Sequence, residues 1–504
     1  MAYNYYISSF FWSTVGKLFS AVLNFITIPI LIGLWGQADY GILAIALACN
    51  GYMQLMDLGI NTGAIRYFSI WLANEEISKL HRAANSNTIF YFCVGTVNAL
   101  CLLAIAFLGE RWFNISHEQF IVLRNCLIIL AVFSIPTWIT TSFNQLLIAD
   151  KDMTFTQQTY CLMNILKGGL IACTIFFKLS LEWYFVFLTA IISATIIPVY
   201  IRSRYRGLCS SFKMKFYWKE FKSILSYSIA LFALSIFQMT ATNSRPIILS
   251  VVAENAANTL AEYRIIEVIP VFILSIGGII TSILLPKSSE YIATNNRSGI
   301  EKFAYLGTRM TSMIACVLTF PFILGADKIL SAYVGVEFSD LSVWLILWSA
   351  TILLQIHTTP GNSLILASGK TKILVWTSAI SCLLSMMINV ALCHIYGVGS
   401  AVIGYAVYVV IIIGSYYTIY YKSLLHLNRI TMIKAFSYPV IVASISLLMT
   451  KIISDIFTIE ISVSERMTFL VEFIFESLIW LIIFGLLVSL TKIARITDIK
   501  FHAI

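Results

Sequence analysis

The chain has 504 residues, 59% of them hydrophobic and 11% charged, with a formal net charge of +9 and a mean hydropathy of +0.87. A soluble domain carries roughly 25% charged residues. The composition therefore excludes a soluble globular protein and calls for one whose apolar segments face lipid.

Apolar stretches of about 20 residues, each able to cross a hydrocarbon core about 30 Å thick, recur from end to end. They predict an all-α polytopic membrane protein with about fourteen spans. Their approximate limits are 11–35, 40–64, 86–109, 122–148, 155–177, 182–201, 223–252, 263–286, 303–326, 341–366, 371–395, 398–421, 431–453 and 469–491. The opening Met1 to Tyr6 has no basic stretch, and no small-residue cleavage site follows the first span, so it reads as a retained helix.

Between spans six and seven lies the densest basic stretch, "RSRYRGLCSSFKMKFYWKEFK" (Arg202 to Lys222). It divides the chain into a six-helix bundle over 1–202, a cytoplasmic linker over 203–222 and a second six-helix bundle over 223–422. Two further helices and a tail follow over 423–504. A weak echo, "ADYG" (Ala38 to Gly41) after span one and "AEYR" (Ala261 to Arg264) in span seven's wake, suits a parallel repeat. With the N-terminus inside, one set of loops holds about 22 Lys and Arg against about 7 on the other side. Both termini are then cytoplasmic. The net charge reflects this bias, and nucleic acid is not an expected partner.

Polar residues recur at helical spacing within several spans. Span one carries Ser13, Lys17, Ser20, Asn24 and Thr27, and span two Asn50, Gln54, Asp57 and Asn61. Span seven carries Ser235, Gln238, Thr242 and Arg245, span ten Thr351, Gln355, Thr358 and Asn362, and span eleven Ser378, Ser381, Ser385 and Asn389. Such spacing puts each set on one helix face. One stripe alone reads as hydrogen bonding between helices. Five together, with Lys, Arg and Asp among them, point to a water-filled cavity, because lipid cannot face these groups.

The deep charge is mainly cationic: Lys17, Lys167 and Arg245 stand against Asp57 and Glu267. Arg264 and Glu267, three residues apart, can pair near the outer surface, and Asp57 can pair with Lys17. Arg309 sits near a cytoplasmic end and is expected to snorkel. Arg245 suits phosphate, since a guanidinium fork meets two oxygens at once. Pro246 removes a backbone donor beside it and leaves Ala241 or Thr242 in need of another partner.

Other motifs fail on spacing. "ASGKT" (Ala367 to Thr371) lacks the upstream glycine of a P-loop, and no strand precedes it. His357 and His394 are solitary and read as packing or interface residues. The ten cysteines are scattered without a C-x-x-C pair, and Asn114-Ile115-Ser116 matches a glycosylation sequon that carries no weight in such a chain. No enzymatic site and no cofactor are expected, so any energy comes from a gradient.

The stretch "NFITIPILIGLWGQADYGILAIALACNGYMQLMDLGI" (Asn24 to Ile60) resembles the opening of the polysaccharide biosynthesis family, repeat-unit flippases of the multidrug/oligosaccharidyl-lipid/polysaccharide exporter superfamily. "RYFSIWLANEEISKLHRAANSN", "LLPKSSE" and "ASGKTKILVW" fall where similar sequences have theirs, and their order over the whole chain carries the resemblance. It implies two six-helix bundles in a V around a cationic cavity. It also implies alternating access that carries an undecaprenyl-diphosphate-linked oligosaccharide across a bacterial inner membrane for O-antigen or another surface polysaccharide. Lys17 and Arg245 occupy places comparable to the family's diphosphate contacts, with Lys167 as a further cation and Asp57 as a coupling carboxylate for H+ or Na+. A polysaccharide polymerase and a chain-length regulator are the protein partners such a role would have, beside membrane lipids. One departure is Ser244, where similar chains often have an acid. Two other readings stay open, a multidrug or cation antiporter of the same superfamily and a non-transporting partner of a polymerase or synthase.

Overall fold

A computed structural model describes residues 2–209, 215–294, 296–368, 372–456 and 465–491, and every regular element among them is helical. Two compact units divide after Arg264: Met1–Arg264 and Ile265–Ile504. Among the described residues eleven helices are long and apolar enough to cross a membrane, and a bent pair brings the number to twelve if counted as one span. The seventh and eighth spans of the sequence reading coincide with helices of 35 and 38 residues that lie outside that count.

The first unit holds α1 (Ala2–Trp35), α2 (Gln37–Tyr52), α3 (Ile60–Ala73), α4 (Ile77–Leu108), α5 (His117–Ala149), α6 (Met153–Phe177), α7 (Leu181–Ala194), α8 (Ile196–Tyr205) and α9 (Trp218–Val252). It also holds the start of α10 (Ala256–Ala293). Helix α5 begins at a capping box: Gln119 N–H donates to Ser116 Oγ at 3.3 Å, and Ser116 N–H donates to Gln119 Oε1 at 3.1 Å. The sequon is thus used by the fold, since Asn114 Nδ2 also donates to Ala253 O at 2.9 Å.

Lipid is as apolar as leucine, so burial alone gives these helices little reason to associate, and close packing has to do it. At Gly63 a side chain would meet Ser228 Oγ at 2.1 Å and Ile224 O at 3.0 Å, so only glycine lets α3 lie this close to α9. Around that seam Ile60, Phe68, Trp71, Tyr91, Trp138, Leu146, Phe221 and Ile224 form a continuous buried cluster.

The described part of the linker is pinned to the start of α4. Arg82 Nε donates to Glu220 Oε1 at 2.7 Å, Asn85 Nδ2 to Lys215 O at 2.8 Å, and Tyr217 N–H to Ser86 Oγ at 2.7 Å. Residues 210–214 of the linker, and 369–371 of the "ASGKT" turn, lie outside the described residues.

In the second unit α11 (Arg297–Leu324), α12 (Ala326–Tyr333), α13 (Ser342–Ile356), α14 (Thr359–Ser368), α15 (Lys372–Tyr396) and α16 (Val398–Ser415) follow α10. The expected tenth span is divided between α13 and α14 at His357–Thr358, where Pro360 in the first turn of α14 needs no backbone donor. Helix α16 continues as a π-helical stretch, Tyr416–Leu424. Helices α17 (Arg429–Ile456) and α18 (Glu465–Leu490) close the chain. Lys328 of α12 meets Glu472 at 3.1 Å and Glu476 at 2.8 Å, and Ser454 of α17 donates to Glu476. Phe320, Trp480 and Phe484 stack at 5.5 and 4.9 Å beside this cluster.

Candidate functional site

The expected second span is not one helix. After α2 the chain tightens into a 3-10 turn over Met53–Asp57, Leu58 and Gly59 take left-handed φ values of 51° and 70°, and α3 leaves at 43° to α2. A non-glycine residue held in that conformation stores roughly 1–2 kcal/mol. The contacts around the break have to offset this strain, and they are mostly polar.

Asp57 lies at the break, half-buried. Tyr91 Oη donates to Asp57 Oδ1 at 2.5 Å, and Asn61 N–H donates to Oδ2 at 3.3 Å. Behind Tyr91, Gln145 Nε2 donates to the phenolic oxygen at 2.7 Å, and Asn87 Nδ2 donates to Gln145 Oε1 at 2.7 Å and to Ser142 Oγ at 3.0 Å. Three side-chain donors in series thus aim at one carboxylate. Tyr91, Gln145 and Asn87 are fully buried, and of their side-chain polar atoms only Asn87 Oδ1 has no partner among the described residues; buried polar series rigidify in proportion to how fully they are satisfied. No ion pair joins Asp57 to Lys17 among the described residues; Lys17 is exposed on α1. The donors that Asp57 does use come from α4 and from its own break.

Helix α9 reaches the same region, with Asn243 Nδ2 donating to Gly51 O at 3.3 Å. Two residues on, Arg245 is 3% exposed, and its Nε donates back to Ala241 O at 3.1 Å. A guanidinium N–H therefore reinforces the helix just before Pro246, whose ring takes a backbone donor away from it. Gln238 and Thr242 are exposed on the same helix, and Thr242 Oγ1 donates to Gln238 O at 2.5 Å. Ser244 is buried beside Arg245.

The lysines lie on one parallel pair, α1 and α6, where Gly16 rests against Cys161 and Gly168 against Leu23. Lys17 thus stands level with about residue 161, and half-buried Lys167 lies roughly 10 Å farther along the pair. Asn24 is exposed on α1 at Lys167's end, and Gln54 is exposed on the 3-10 turn at the α2–α3 break.

The second-unit candidates serve helix contacts. Tyr405 Oη donates to Gln355 Oε1 at 2.5 Å, joining α16 to α13. Asn389 is fully buried on α15 and accepts from Ser400 Oγ at 2.8 Å. His357 packs between Phe436, at 4.1 Å between ring centres, and Tyr417, whose hydroxyl lies 3.0 Å from Nε2. Arg264 and Glu267 are both half-buried on α10, and the boundary between the two units falls between them. Among the described residues no cluster of His, Cys, Asp and Glu could hold a metal ion.

Tyr91, Gln145 and Asn87 escaped the sequence reading. They lie on α4 and α5 in apolar surroundings, and only an intramembrane Gln and Asn could have signalled them.

The family model described as "Polysaccharide biosynthesis protein" matches residues 7–292. No curated protein matches the chain by sequence. Among solved structures, the chain is similar to a lipid II flippase MurJ in an inward closed conformation, with a TM-score of 0.70 and 12% identity over 95% of this chain and 98% of that one. It is also similar to an inward-facing multidrug resistance MATE family transporter of the MOP superfamily, with a TM-score of 0.59 and 15% identity over 83% of this chain and 93% of the other. A Vibrio cholerae MATE transporter gives a TM-score of 0.56 and 14% identity over 84% and 97%. The fold is therefore that of these multi-span membrane transporters.

Proposed function

We propose that this chain, which belongs to the polysaccharide biosynthesis protein family, moves an undecaprenyl-diphosphate-linked oligosaccharide from the cytoplasmic to the periplasmic leaflet of a bacterial inner membrane. The product feeds O-antigen or another surface polysaccharide, with a polymerase and a chain-length regulator acting after it. The observation that carries this reading is the pair Lys17 and Lys167, two cations within the apolar helices α1 and α6, which pack against each other. Charge at that depth is costly without a use, and a diphosphate is the complementary group. Arg245 adds positive potential from its buried position on α9, while Asn24, Gln238 and Thr242 offer exposed polar groups to sugars.

Asp57 is the candidate for H+ or Na+ coupling. Protonation would remove the negative charge toward which Tyr91 and Asn61 donate, and so loosen the α2–α3 break. A multidrug or cation antiporter is the second reading, favoured by that same buried carboxylate. Translocation of labelled repeat units in cells carrying Lys17→Ala, Lys167→Ala or Arg245→Ala, at normal membrane abundance, tests the choice. Loss on the lysine variants supports the flippase. Full activity in all three refutes the cationic site, and no translocation by the wild type, with efflux of an organic cation lost on Asp57→Asn, favours the antiporter.

A further inference from the structure

Between α2, α4, α5 and α7 the first unit forms a small recess, part of it open to solvent. Asn50 and Gln54 enter from α2 and the turn after it, Asn98 from α4, and Ser134, Thr137 and Trp138 from α5. None of the lining residues is charged.

Asn98 is 1% exposed, and its Oδ1 has no hydrogen-bond partner among the described residues. A buried acceptor left in that state is a standing cost that a ligand donor would remove. The hydroxyls around it are poised in the same sense. Ser134 Oγ–H is committed to Gly95 O at 3.0 Å, and Thr137 Oγ1–H to Phe133 O at 2.8 Å. Their donors are spent on backbone, so what they offer inward is lone pairs. The recess is thus rich in neutral acceptors, with the carboxamides of Asn50 and Gln54 able to donate as well, and with Trp138 as an apolar aromatic wall.

We infer that this recess holds one sugar ring of the transported oligosaccharide, an inference that rests on the flippase reading. A ligand with several O–H donors and no net charge matches the lining. A diphosphate finds no cation there, and an organic cation finds no carboxylate. The recess also borders the break. Gln54 belongs to the same 3-10 turn as Asp57, and Trp138 stacks on Tyr91 with ring centres 6.0 Å apart, while Tyr91 holds Asp57. A sugar seated here therefore rests on the same two elements that set the carboxylate's environment, which links occupancy to the state of the break.

The test uses the purified full chain and two probes, undecaprenyl diphosphate carrying an oligosaccharide and undecaprenyl diphosphate without sugar, with affinities measured for wild type, Asn98→Leu and Gln54→Ala. The wild type is expected to bind the sugar-bearing lipid about tenfold more tightly, which corresponds to about 1.4 kcal/mol. Each variant is expected to bring the two affinities within about twofold. Equal wild-type affinities overturn the sugar subsite and leave diphosphate recognition standing. A tenfold preference kept by exposed Gln54→Ala overturns it too, whatever Asn98→Leu does to folding. Failure of the wild type to bind either lipid overturns the flippase reading itself.

Discussion

Replacing Tyr91 with phenylalanine removes one oxygen atom from a fully buried ring and leaves its volume almost unchanged. That oxygen donates to Asp57 Oδ1 at 2.5 Å and accepts from Gln145 Nε2 at 2.7 Å. Neutral hydrogen bonds between membrane helices average about 0.6 kcal/mol. One to a charged group contributes about 1.5–3 kcal/mol. The Asp57 bond therefore dominates, and Tyr91→Phe should destabilise the purified chain by about 2–3 kcal/mol. A double-mutant cycle with Asp57→Asn isolates that bond. Reversible unfolding followed by tryptophan fluorescence should give a coupling of about 1.5 kcal/mol or more between the two positions. A coupling below about 0.5 kcal/mol would mean that the 2.5 Å contact stabilises nothing, and the account of the break as braced through Tyr91 would fail.

Three further outcomes follow from other contacts. Gly63→Ala places a methyl 2.1 Å from Ser228 Oγ and should cost about 1–3 kcal/mol by overpacking, with partial rescue in Gly63→Ala/Ser228→Ala; an unchanged melting temperature would refute the seam between α3 and α9. Burial works against the charge of Lys328, but Glu476 and Glu472 outweigh it and hold its pKa above the ordinary 10.5. The stability this lysine contributes is therefore complete below about pH 10.5 and lost as pH climbs through the raised value, an alkaline step in a pH–melting profile that Lys328→Met should lack. Asn389→Leu should cost less than about 1 kcal/mol, because Ser400 Oγ retains its bond to Gly397 O at 2.7 Å, and a larger loss would point to contacts beyond Ser400.

Much of this molecule is legible in the chain because membranes impose a strict code of length and apolarity. The positions of α1, α4, α5 and α6 follow from it. The break between α2 and α3 does not, because the run from Ile42 to Ile60 is apolar enough to read as one helix, while a 3-10 turn over Met53–Asp57 and the left-handed Leu58 and Gly59 interrupt it. The stripe of span two includes Asp57 but not its partner, since Tyr91 lies 34 residues away on another helix. Arg245 stood out as a charge in an apolar run; that its Nε turns back to Ala241 depends on rotamer and packing, which spacing does not encode. Gln355 and Asn389 share the periodicity of cavity residues and also join α13 and α15 to α16, since a hydrogen bond between helices and a wet face demand the same spacing.

The series that ends at Asp57 has a sense of direction with a mechanistic consequence. Asn87 and Gln145 take part through carboxamide N–H groups, which do not hand protons along as hydroxyls or waters do. The series is thus an insulated strut and no proton wire: it holds the carboxylate in place, but no proton arrives through it. Under the proposed coupling role, an ion would have to reach Asp57 from the opposite side, past Oδ2 and the Asn61 amide. Such a device would load and unload from a single face, and the compartment which that face meets would set the pH that Asp57 reports.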